Sequence, residues 1–435
     1  MKSERNWGRL DMKSNWTTTT IDDVCSLVTD GAHNSPKSVE KGYYMASVKD
    51  FTEYGFDFSS CRQISEEDYE KLRKHGCVPE KDDVLIGKDG ARYFEDIIIY
   101  RQDEQPALLS SIAILRANRK KITPEFLYYT LKIPAIKKDV RDNYGSGSAI
   151  PRVVLKDFKR MPFSYPDIDE QRKITAVCSV IDAKIQVNNA INKNLEQQAK
   201  AVFKSWFEDF DSFDEPLIET PAGIYAPASL QMVQIANIPH VLETGKRPKG
   251  GAVASGVPSI GAENVKQLGV VNFSSAKFIP EEFAAKMKTG AINGYELLLY
   301  KDGGKPGTFI PHFSMFGEGF PYQKFFINEH VFKLDFGDKG FNEFAYFFMQ
   351  TDYAYHWLAS NGGKAAVPGI NQQNVKDIWI FSPENSKVKE FGEWVQPLFT
   401  TILKNCAQNV KLAELRDTLL PKLMSGELDV SDIDL

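Results

Sequence analysis

The sequence lacks the features of a membrane or secreted protein. It contains no run of about 18 apolar residues, the length that a membrane-spanning helix needs. Its first 16 residues lack the apolar stretch of a secretory signal. The five cysteines form no CxxC pair or cluster, which argues against a zinc site and a disulfide framework; they are Cys25, Cys61, Cys77, Cys178 and Cys406. We therefore predict a cytoplasmic protein with free thiols.

Motifs of the common enzyme classes are also missing. There is no GxxxxGK[ST] loop, GxSxG elbow or HExxH helix, and the six histidines show no ligand spacing. FGEGF (316–320) is similar to a loop that binds S-adenosylmethionine, but no Asn-Pro-Pro-Tyr-type motif follows, so we interpret it as a glycine-rich turn. Asp167, Asp182 and Lys184 imitate the spacing of nuclease residues, yet Asp182 and Lys184 would point to different faces of a helix. The sequence therefore predicts no catalytic or metal-binding residue, and a chain that is not an enzyme.

The chain has little excess charge of either sign. Its net charge of −5 is unlike that of a protein that holds DNA by itself, which is more often basic. Between Arg116 and Arg160, however, twelve Lys or Arg residues face only four acids, whereas the matching segment 333–377 is not basic. A solvated surface explains such a run as well as a binding site does. Charge alone therefore decides nothing.

What the sequence does contain is an internal repeat. GSGSAIPRVVLKDFKRMPFSYP (145–166) and NGGKAAVPGINQQNVKDIWIFSP (361–383) share a Gly-rich start, an apolar residue before Pro, and a second Pro at the end. The offset of 217 residues continues through the next forty residues. VLIGKDGARY (84–93) also matches LLLYKDGGKP (297–306) at an offset of 213. The chain is therefore two similar halves, each a globular part followed by a long helix.

The long helices follow Pro166 and Pro383. Apolar residues in each recur at steps of four and three, a heptad-like seam over about 40 residues, or roughly 60 Å of helix. We expect the two helices to pack on each other as an antiparallel pair. Four asparagines stand at seam positions and are related by the same offset: Asn188, Asn192, Asn405 and Asn409. Buried asparagine sets the register of a coiled coil, although exposure at a kink is the alternative.

The parts outside the helices carry strand signals. Alternating or β-branched runs lie between glycine-rich turns, at 83–87, 95–101, 110–117, 296–301 and 324–336. PEFLYYTLK (124–132) and NEFAYFFMQ (342–350) predict matching short helices. We therefore expect an α+β fold, in which two repeated globular domains with mixed or antiparallel sheets and short helices are separated by a long antiparallel two-helix coiled coil.

The predicted domain boundaries follow from these elements. A first globular domain occupies 1–166 and a central long helix 167–210. The acidic segment FEDFDSFDEP (207–216) is the exit from this helix and the linker to the second half. A second globular domain occupies 211–384, and a C-terminal long helix with its tail occupies 385–435.

With these elements in place, the whole chain resembles the specificity subunit of type I restriction–modification systems. The most specific similarity lies in PDIDEQRKI (166–174), AKAVFKSWFEDFDSF (199–213) and LAELRDTLLPKLMSGELDV (412–430), which resemble the central and C-terminal conserved regions of that family. KDG at 88–90 and 301–303 resembles part of its target recognition domains. One departure is SPENSKVKEF, which lacks the Glu-Gln of the first half, so we expect the two helices to contact their partners differently.

This resemblance implies a DNA-specificity function. In that family each recognition domain reads one half of a bipartite DNA site, and the helices act as a spacer around which two methyltransferase subunits bind. Restriction and motor subunits join through the methyltransferases. The resemblance implies adenine-N6 methylation by the partners, S-adenosylmethionine, ATP and Mg in the partner subunits, and no cofactor in this chain.

Loop residues are the candidates for DNA contact, because Arg and Lys read guanine whereas Asn and Gln read adenine. The candidates are Lys88, Arg92, Ser146, Ser148 and Arg152 in the first half, and Lys246, Arg247, Lys301, Lys305, Lys364, Asn371 and Gln372 in the second. Each is equally well explained as an ordinary exposed loop residue. Two other functions stay open at this point: an enzyme with degenerate motifs, and a scaffold that binds a non-DNA ligand, such as a protein or glycan, through two β-rich domains.

Overall fold

The chain forms two compact units, the first built from two separate segments and the second from the continuous segment between them. The computed structural model describes residues 16–145, 151–363 and 367–433. The first unit comprises the described residues of Met1–Gln186 and Leu412–Leu435, and the second is Val187–Lys411. The division falls inside the two long helices. It differs in kind from the four-part division that the sequence predicts, which separates helices from globular parts and stays a prediction.

The first unit combines short strands with short helices. Its strands are β1 (Thr17–Thr20), β2 (Cys25–Asp30), β3 (Tyr43–Ala46), β4 (Gln63–Ile64), β5 (Val84–Gly87), β6 (Ile97–Ile99), β7 (Ala107–Leu108), β8 (Ile112–Ala117) and β9 (Pro162–Tyr165). Its short helices are α1 (Ile21–Val24), α2 (Glu66–Lys74), α3 (Pro124–Lys132), α4 (Pro134–Asn143) and α5 (Leu155–Arg160). The long helix α6 (Ile168–Phe207) follows.

The second unit has a similar set of elements. Its strands are β10 (Leu217–Glu219), β11 (Tyr225–Pro227), β12 (Met232–Gln234), β13 (Val241–Thr244), β14 (Val257–Ile260), β15 (Lys277–Ile279), β16 (Leu297–Tyr300), β17 (Phe313–Ser314), β18 (Phe326–Ile327), β19 (Val331–Asp335) and β20 (Trp379–Phe381). Its short helices are α7 (Glu281–Ala284), α8 (Lys339–Phe348), α9 (Asp352–Gly362) and α10 (Gln372–Lys376). The second long helix is α11 (Ser386–Ser425).

Three sheets of each unit have the same topology, and the second unit has in addition the two-stranded sheet β10-β11. A four-stranded antiparallel sheet has the order β2-β8-β5-β6 in the first unit and β13-β19-β16-β17 in the second. A three-stranded sheet, β4-β3-β7 or β15-β14-β18, contains one parallel pairing in each case. A two-stranded ladder joins β1 to β9 and β12 to β20. The repeat read from the sequence is thus a repeat of fold, and the expected α+β class with mixed and antiparallel sheets is confirmed.

The elements arise from local sequence in a direct way. Strand β5 (VLIG) is buried along its whole length because it lies inside its sheet, which explains its unbroken apolar run. Helix α3 begins after Thr123, whose hydroxyl accepts a hydrogen bond from Phe126 N. The matching helix α8 begins three residues earlier than we predicted, because Asp338 caps it by accepting from Phe341 N.

Each unit is closed by residues from the long helices. In the first unit, Phe126, Phe158 and Phe163 form a core with Leu420 and Leu423 of α11. In the second unit, α6 contributes aromatic rings that contact those of α8 and α11. The ring centroids of Phe203 and Phe347 lie 5.7 Å apart, and those of Phe207 and Phe344 lie 5.0 Å apart. The long helices are therefore parts of the cores and not appendages to them.

One buried carboxylate in the second unit lacks a hydrogen-bond partner among the described residues. Glu343 of α8 is fully buried, and neither of its carboxylate oxygens has a hydrogen-bond partner among the described residues. Burial raises the pKa of this carboxyl to about 8. The group is consequently protonated at neutral pH, which lowers the free-energy cost of burying it.

The long helices run antiparallel where they pair. In the second unit, Asn188 contacts Asn409 and Asn192 contacts Asn405, so residue numbers that rise along α6 fall along α11. In the first unit, Asp182 of α6 pairs with Arg416 of α11. None of the helices in the described ranges is both long and apolar enough to cross a membrane.

Gln171 explains the Glu-Gln pair at the start of α6. Its side chain is fully buried. Its Oε1 accepts from Thr123 N at 2.8 Å, and its Nε2 donates to the carbonyls of Lys121 and Pro166, each at 2.9 Å. The counterpart at the 217-residue offset is Val388, which is also buried. The replacement of Gln by Val therefore changes the interior of the second unit, and by itself gives no reason to expect a different outer surface of the helix.

We predict that Gln171→Leu destabilises the chain. The substitution leaves a buried N–H and two carbonyls without their partner, at a cost of about 1–3 kcal/mol. Thermal unfolding followed by circular dichroism should show a lower melting temperature. The control is Arg172→Ala, because Arg172 is its exposed neighbour. Equal melting temperatures for the two variants would contradict the structural role of Gln171.

Candidate nucleic-acid interface

The two KDG sequences form the same turn in the two units. In the first unit, Lys88 N donates to Ser111 O at 2.8 Å, and Val153 N donates back to Lys88 O at 3.0 Å. Gly90 N donates to Pro151 O at 2.9 Å. Gly90 has a φ of +95°, a conformation that residues with a Cβ rarely adopt. The turn thus joins the end of β5 to the Pro of the repeated passage.

The turn in the second unit repeats each of these bonds. Lys301 N donates to His330 O at 3.0 Å, and Ile370 N donates to Lys301 O at 2.8 Å. Gly303, at φ +129°, donates its N–H to Pro368 O at 2.8 Å. KDG and the segment that begins at the Pro of the repeated passage are therefore two parts of one structural unit, although about 60 residues separate them in the sequence.

Lys88 forms ion pairs with two carboxylates at the first turn. Its side chain is only 6% exposed, and its Nζ lies 3.4 Å from Asp30 Oδ2 and 3.2 Å from Asp89 Oδ1. Asp30 Oδ1 also lies 3.1 Å from His33 Nε2. Lys88 would have to leave both carboxylates to reach a base. In this structure it holds two loops together.

The second turn presents its charges more openly. Lys301 is 26% exposed and lies 3.1 Å from Asp302. His330 bridges two acids, with Nδ1 on Asp302 and Nε2 at 3.3 Å from Glu329 Oε1. Arg247 lies 3.5 Å from the same Glu329 oxygen. The side chains of three separate chain segments therefore meet in one polar network.

Most of the other candidates are exposed. Arg92 is 71% exposed and pairs with Asp96 at 2.8 Å. Arg152, Lys246 and Lys305 are exposed as well. Arg152 is adjacent to the first turn, because its backbone forms an isolated β-bridge with that of Asp89. Ser146, Ser148 and Lys364 lie outside the described residues.

Two polar candidates have structural duties. Asn371 caps α10, accepting a hydrogen bond from Asn374 N at 3.0 Å while Asn374 Oδ1 accepts from Asn371 N. Gln372 donates Nε2–H to Leu242 O at 3.1 Å. Both side chains are nevertheless on exposed residues. A base contact by Asn371 would compete with its cap, whereas Gln372 keeps its carbonyl oxygen for other partners.

The two turns differ in charge. Around the first, Lys88 and Arg92 pair with three acids, Asp30, Asp89 and Asp96, and Arg152 forms a backbone β-bridge with Asp89. Near the second, five cations stand in the 246–249 and 301–305 loops, and two acids, Asp302 and Glu329, oppose them. The second turn therefore offers the stronger attraction for a phosphate backbone.

The basic run between Arg116 and Arg160 does not form a free cationic surface. Arg116 pairs with Glu80 and Asp83, and Arg119 pairs with Asp82. Further along, Lys137 and Arg141 both pair with Glu95, and Lys159 pairs with Asp22. These acids all precede the run in the sequence, so a window count overstated the local charge.

The histidines of both turns were missed by sequence reasoning. His33 is 74% exposed beside Asp30, and His330 is 42% exposed beside Asp302. The spacing of histidines in a sequence can indicate a metal site, but it does not indicate a histidine beside a turn. The residues around His33 and His330 also differ, so the repeat did not connect them. The only available signal was their place in loops next to strand ends, which is weak without the fold.

Asp182, one of the residues with nuclease-like spacing in the sequence, has structural partners. Its carboxylate pairs with Arg416 and accepts a hydrogen bond from Tyr129 at 2.7 Å. Lys184 is exposed. In the described part of the chain, no three His, Cys, Asp or Glu residues form a group that could hold a metal ion. All five cysteines are free thiols.

Comparison with known proteins bears directly on these features. Residues 13–197 match the family model described as type I restriction modification DNA specificity domain. The matched segment is less than half of the chain and includes the first KDG turn and most of α6.

Two curated relatives extend the likeness beyond the specificity domain. The type I restriction enzyme MjaIX specificity subunit of Methanocaldococcus jannaschii is 27% identical over 317 residues, covering 72% of this chain and 71% of the relative. The HindI specificity subunit of Haemophilus influenzae is 22% identical over 384 residues, covering 72% of this chain and 80% of the relative. The resemblance inferred from the sequence is confirmed.

A solved structure shows the same fold over nearly the whole chain. The crystal structure of a type I restriction–modification S subunit from M. genitalium superimposes with a TM-score of 0.52 at 16% identity. The match covers 94% of this chain and 96% of that one. Both repeated units therefore lie within a fold that a solved structure already shows.

We predict that Gly303→Ala costs more stability than Gly90→Ala. Both glycines have positive φ, which costs an L-residue about 1–2 kcal/mol. A Cβ on Gly303 would also lie 2.4 Å from the Tyr300 hydroxyl, whereas a Cβ on Gly90 meets no atom within 4 Å. Urea unfolding of both variants measures the difference. Equal losses would mean that the second turn shifts freely to accept the methyl group.

Proposed function

We propose that this chain is the non-catalytic DNA-specificity subunit of a type I restriction–modification complex. The observation that carries the proposal is the duplicated KDG turn: two units share one fold and one backbone arrangement, but each turn carries different side chains. A duplicated scaffold with different loop residues is suited to reading two different sequences. The similarity to curated specificity subunits supports this proposal.

Each unit would read one half of a bipartite, asymmetric DNA site. Base edges in the major groove are read by side chains such as Arg, Lys, Asn and Gln, whereas phosphate contacts mainly position the protein. In the second unit, Lys301, Lys305 and Gln372 would read the bases. In the first unit, Lys88 is held by two carboxylates, so Arg92 and Arg152 would serve this role.

The long helices would set the distance between the half-sites. A 40-residue helix is roughly 60 Å long at 1.5 Å per residue. Half-sites on one face of DNA lie about 34 Å apart per helical turn. Helices of this length suffice to span one to two turns and to leave the bases between the half-sites unread.

The partners follow from the same proposal. Two methyltransferase subunits would dock on the helices and methylate adenine N6, and ATP-dependent restriction subunits would join through them. S-adenosylmethionine, ATP and Mg would be bound by those partners, and the complex would act in the cytoplasm. A net charge of −5 fits a chain that relies on other subunits for much of the phosphate contact.

The direct test is to map methylated adenines in DNA of the host cell, and to footprint the purified complex on the site so defined. We expect a two-part asymmetric motif that disappears when this chain is deleted. A footprint without sequence preference would instead favour the scaffold for a non-DNA ligand. Binding of S-adenosylmethionine by the isolated chain would favour an enzyme.

We predict that Lys305→Ala weakens DNA binding by the complex. Loss of one phosphate contact should lower the slope of log K against log salt by about 1, whereas loss of a base contact should change preference at one position. Fluorescence anisotropy at several salt concentrations separates these outcomes. Lys71→Ala is the control, because Lys71 is an exposed lysine paired with Glu67 on α2. Equal affinity for both variants would remove Lys305 from the interface.

We also predict that lengthening both helices lengthens the unread gap. Seven residues inserted after Asn192 in α6, and seven before Asn405 in α11, keep the facing positions matched. The insertion adds about 10 Å, equivalent to about three base pairs of DNA. Methylation mapping with the variant reports the new gap. An unchanged site would contradict the spacer role.

A further inference from the structure

The seam between α6 and α11 contains polar contacts of two kinds. The first kind is a pair of asparagine contacts in the second unit. Asn188 donates Nδ2–H to Asn409 Oδ1 at 2.8 Å, and Asn405 donates to Asn192 Oδ1 at 2.8 Å. By the 217-residue offset, Asn409 is the counterpart of Asn192, and Asn405 is the counterpart of Asn188.

These asparagine contacts are therefore symmetric. An α6 helix that met the α6 of a second copy in the same register would place Asn188 opposite Asn192 twice. Two α11 helices would do the same with Asn405 and Asn409. These two contacts can set the register, but by themselves they do not distinguish the correct pairing from either of the like-with-like pairings. The further bonds of Asn188 to Gln408 and of Asn409 to Asn189 do not follow the repeat, since the counterparts of Gln408 and Asn189 are Ile191 and Cys406.

The second kind of contact is a single buried ion pair in the first unit. Asp182 Oδ1 lies 2.5 Å from Arg416 Nη1, and each side chain is 6% exposed. Tyr129 donates its hydroxyl to Asp182 Oδ2 at 2.7 Å, and Tyr54 donates to Oδ1 at 3.1 Å. Arg416 Nε also contacts Asp417 at 2.8 Å. The charges are thus well paired despite their burial.

This ion pair has no counterpart in the second unit. The residue that corresponds to Arg416 is Ala199, and the residue that corresponds to Asp182 is Phe399. Both are fully buried in the apolar core of the second unit. The contact between the two helices is therefore ionic at this position in the first unit and apolar at the corresponding position in the second.

The asymmetry has a consequence for pairing with a second copy. In a pairing of α6 with α6, Asp182 would face Ala199 and lose its guanidinium. In a pairing of α11 with α11, Arg416 would face Phe399 and lose the Asp182 carboxylate, keeping its contact with the exposed Asp417 of its own helix. A buried charge without its partner is strongly destabilising. Only the pairing of α6 with α11 satisfies both groups.

We propose that Asp182 and Arg416 select the partner of each long helix, so that α6 accepts α11 and rejects the α6 of a second copy of this chain. The selection matters during synthesis. Roughly 180 residues lie between Phe207 and Ser386, which takes on the order of ten to forty seconds to translate at 5–20 residues per second. During that time α6 has no partner, and neighbouring copies expose the same seam. The proposal does not depend on DNA recognition.

The structure suggests a variant that removes the selection without removing the packing. Asp182→Phe combined with Arg416→Ala gives the first unit the same Phe-opposite-Ala arrangement that the second unit already has. Pairing of α6 with α6 would then place the introduced phenylalanine side chain against Ala199 twice. The control is Arg416→Lys, which keeps a cation opposite Asp182.

The test uses the full chain expressed in two forms with different affinity tags, one of them isotope-labelled before mixing by co-refolding. We expect the double variant to raise the fraction of mixed-tag complexes about tenfold over the unsubstituted chain, equivalent to ~1.4 kcal/mol. Arg416→Lys should stay at the level of the unsubstituted chain. Chemical cross-linking should join Lys184 of one copy to Lys193 of the other, since both are exposed on α6.

Two outcomes would overturn the proposal. One is a folded double variant, with unchanged helical content by circular dichroism, whose mixed-tag fraction does not rise. The other is a rise whose cross-links join α6 to α11 of the second copy, because that exchange leaves the selection between helices intact. If the double variant does not fold, Asp182→Asn with Arg416→Gln removes the charges at nearly constant volume, and the same two readings apply to it.

Discussion

Packing of the long helices into the globular cores is the interaction on which the rest of the structure depends. The core of the first unit is completed by Leu420, Leu423 and Met424, which belong to the helix α11 that follows the second half. The core of the second unit is completed by Phe203 and Phe207, which belong to the helix that begins in the first half. Neither unit can therefore bury its apolar surface with residues of one half alone. Each core is complete only when the long helix of the other half has packed against it.

The two units share one backbone framework and differ in the side chains that it carries. Strand order, the parallel pairing in each small sheet and the backbone bonds of the KDG turn are the same in both units. The side chains on these turns are not. Lys88 is committed to Asp30 and Asp89, whereas Lys301 is part of an open network with His330. A scaffold of this kind can change its ligand through loop residues without changing its core.

Similar reasoning applies to the polar residues of the seam. The four asparagines follow the repeat and meet in matched pairs, as their spacing in the sequence suggests. Their role in register stays a prediction, since contact alone does not measure it. Asp182 was considered in the sequence only as an imitation of a nuclease carboxylate. Its partner Arg416 lies 234 residues away, so no local pattern could have connected them.

The sequence by itself determined the duplicated α+β architecture, the two long helices and the matching positions of the turns. These properties depend on periodicity and on residue types that act locally, such as proline before a helix and glycine at positive φ. Only the tertiary structure decided which candidate side chains are available to a ligand. Lys88 and Asn371 are already bonded to partners within the fold, and five cations of the basic run 116–160 pair with acids upstream. Ion pairs and caps of this kind depend on distances between loops, and a linear pattern carries no information about those distances.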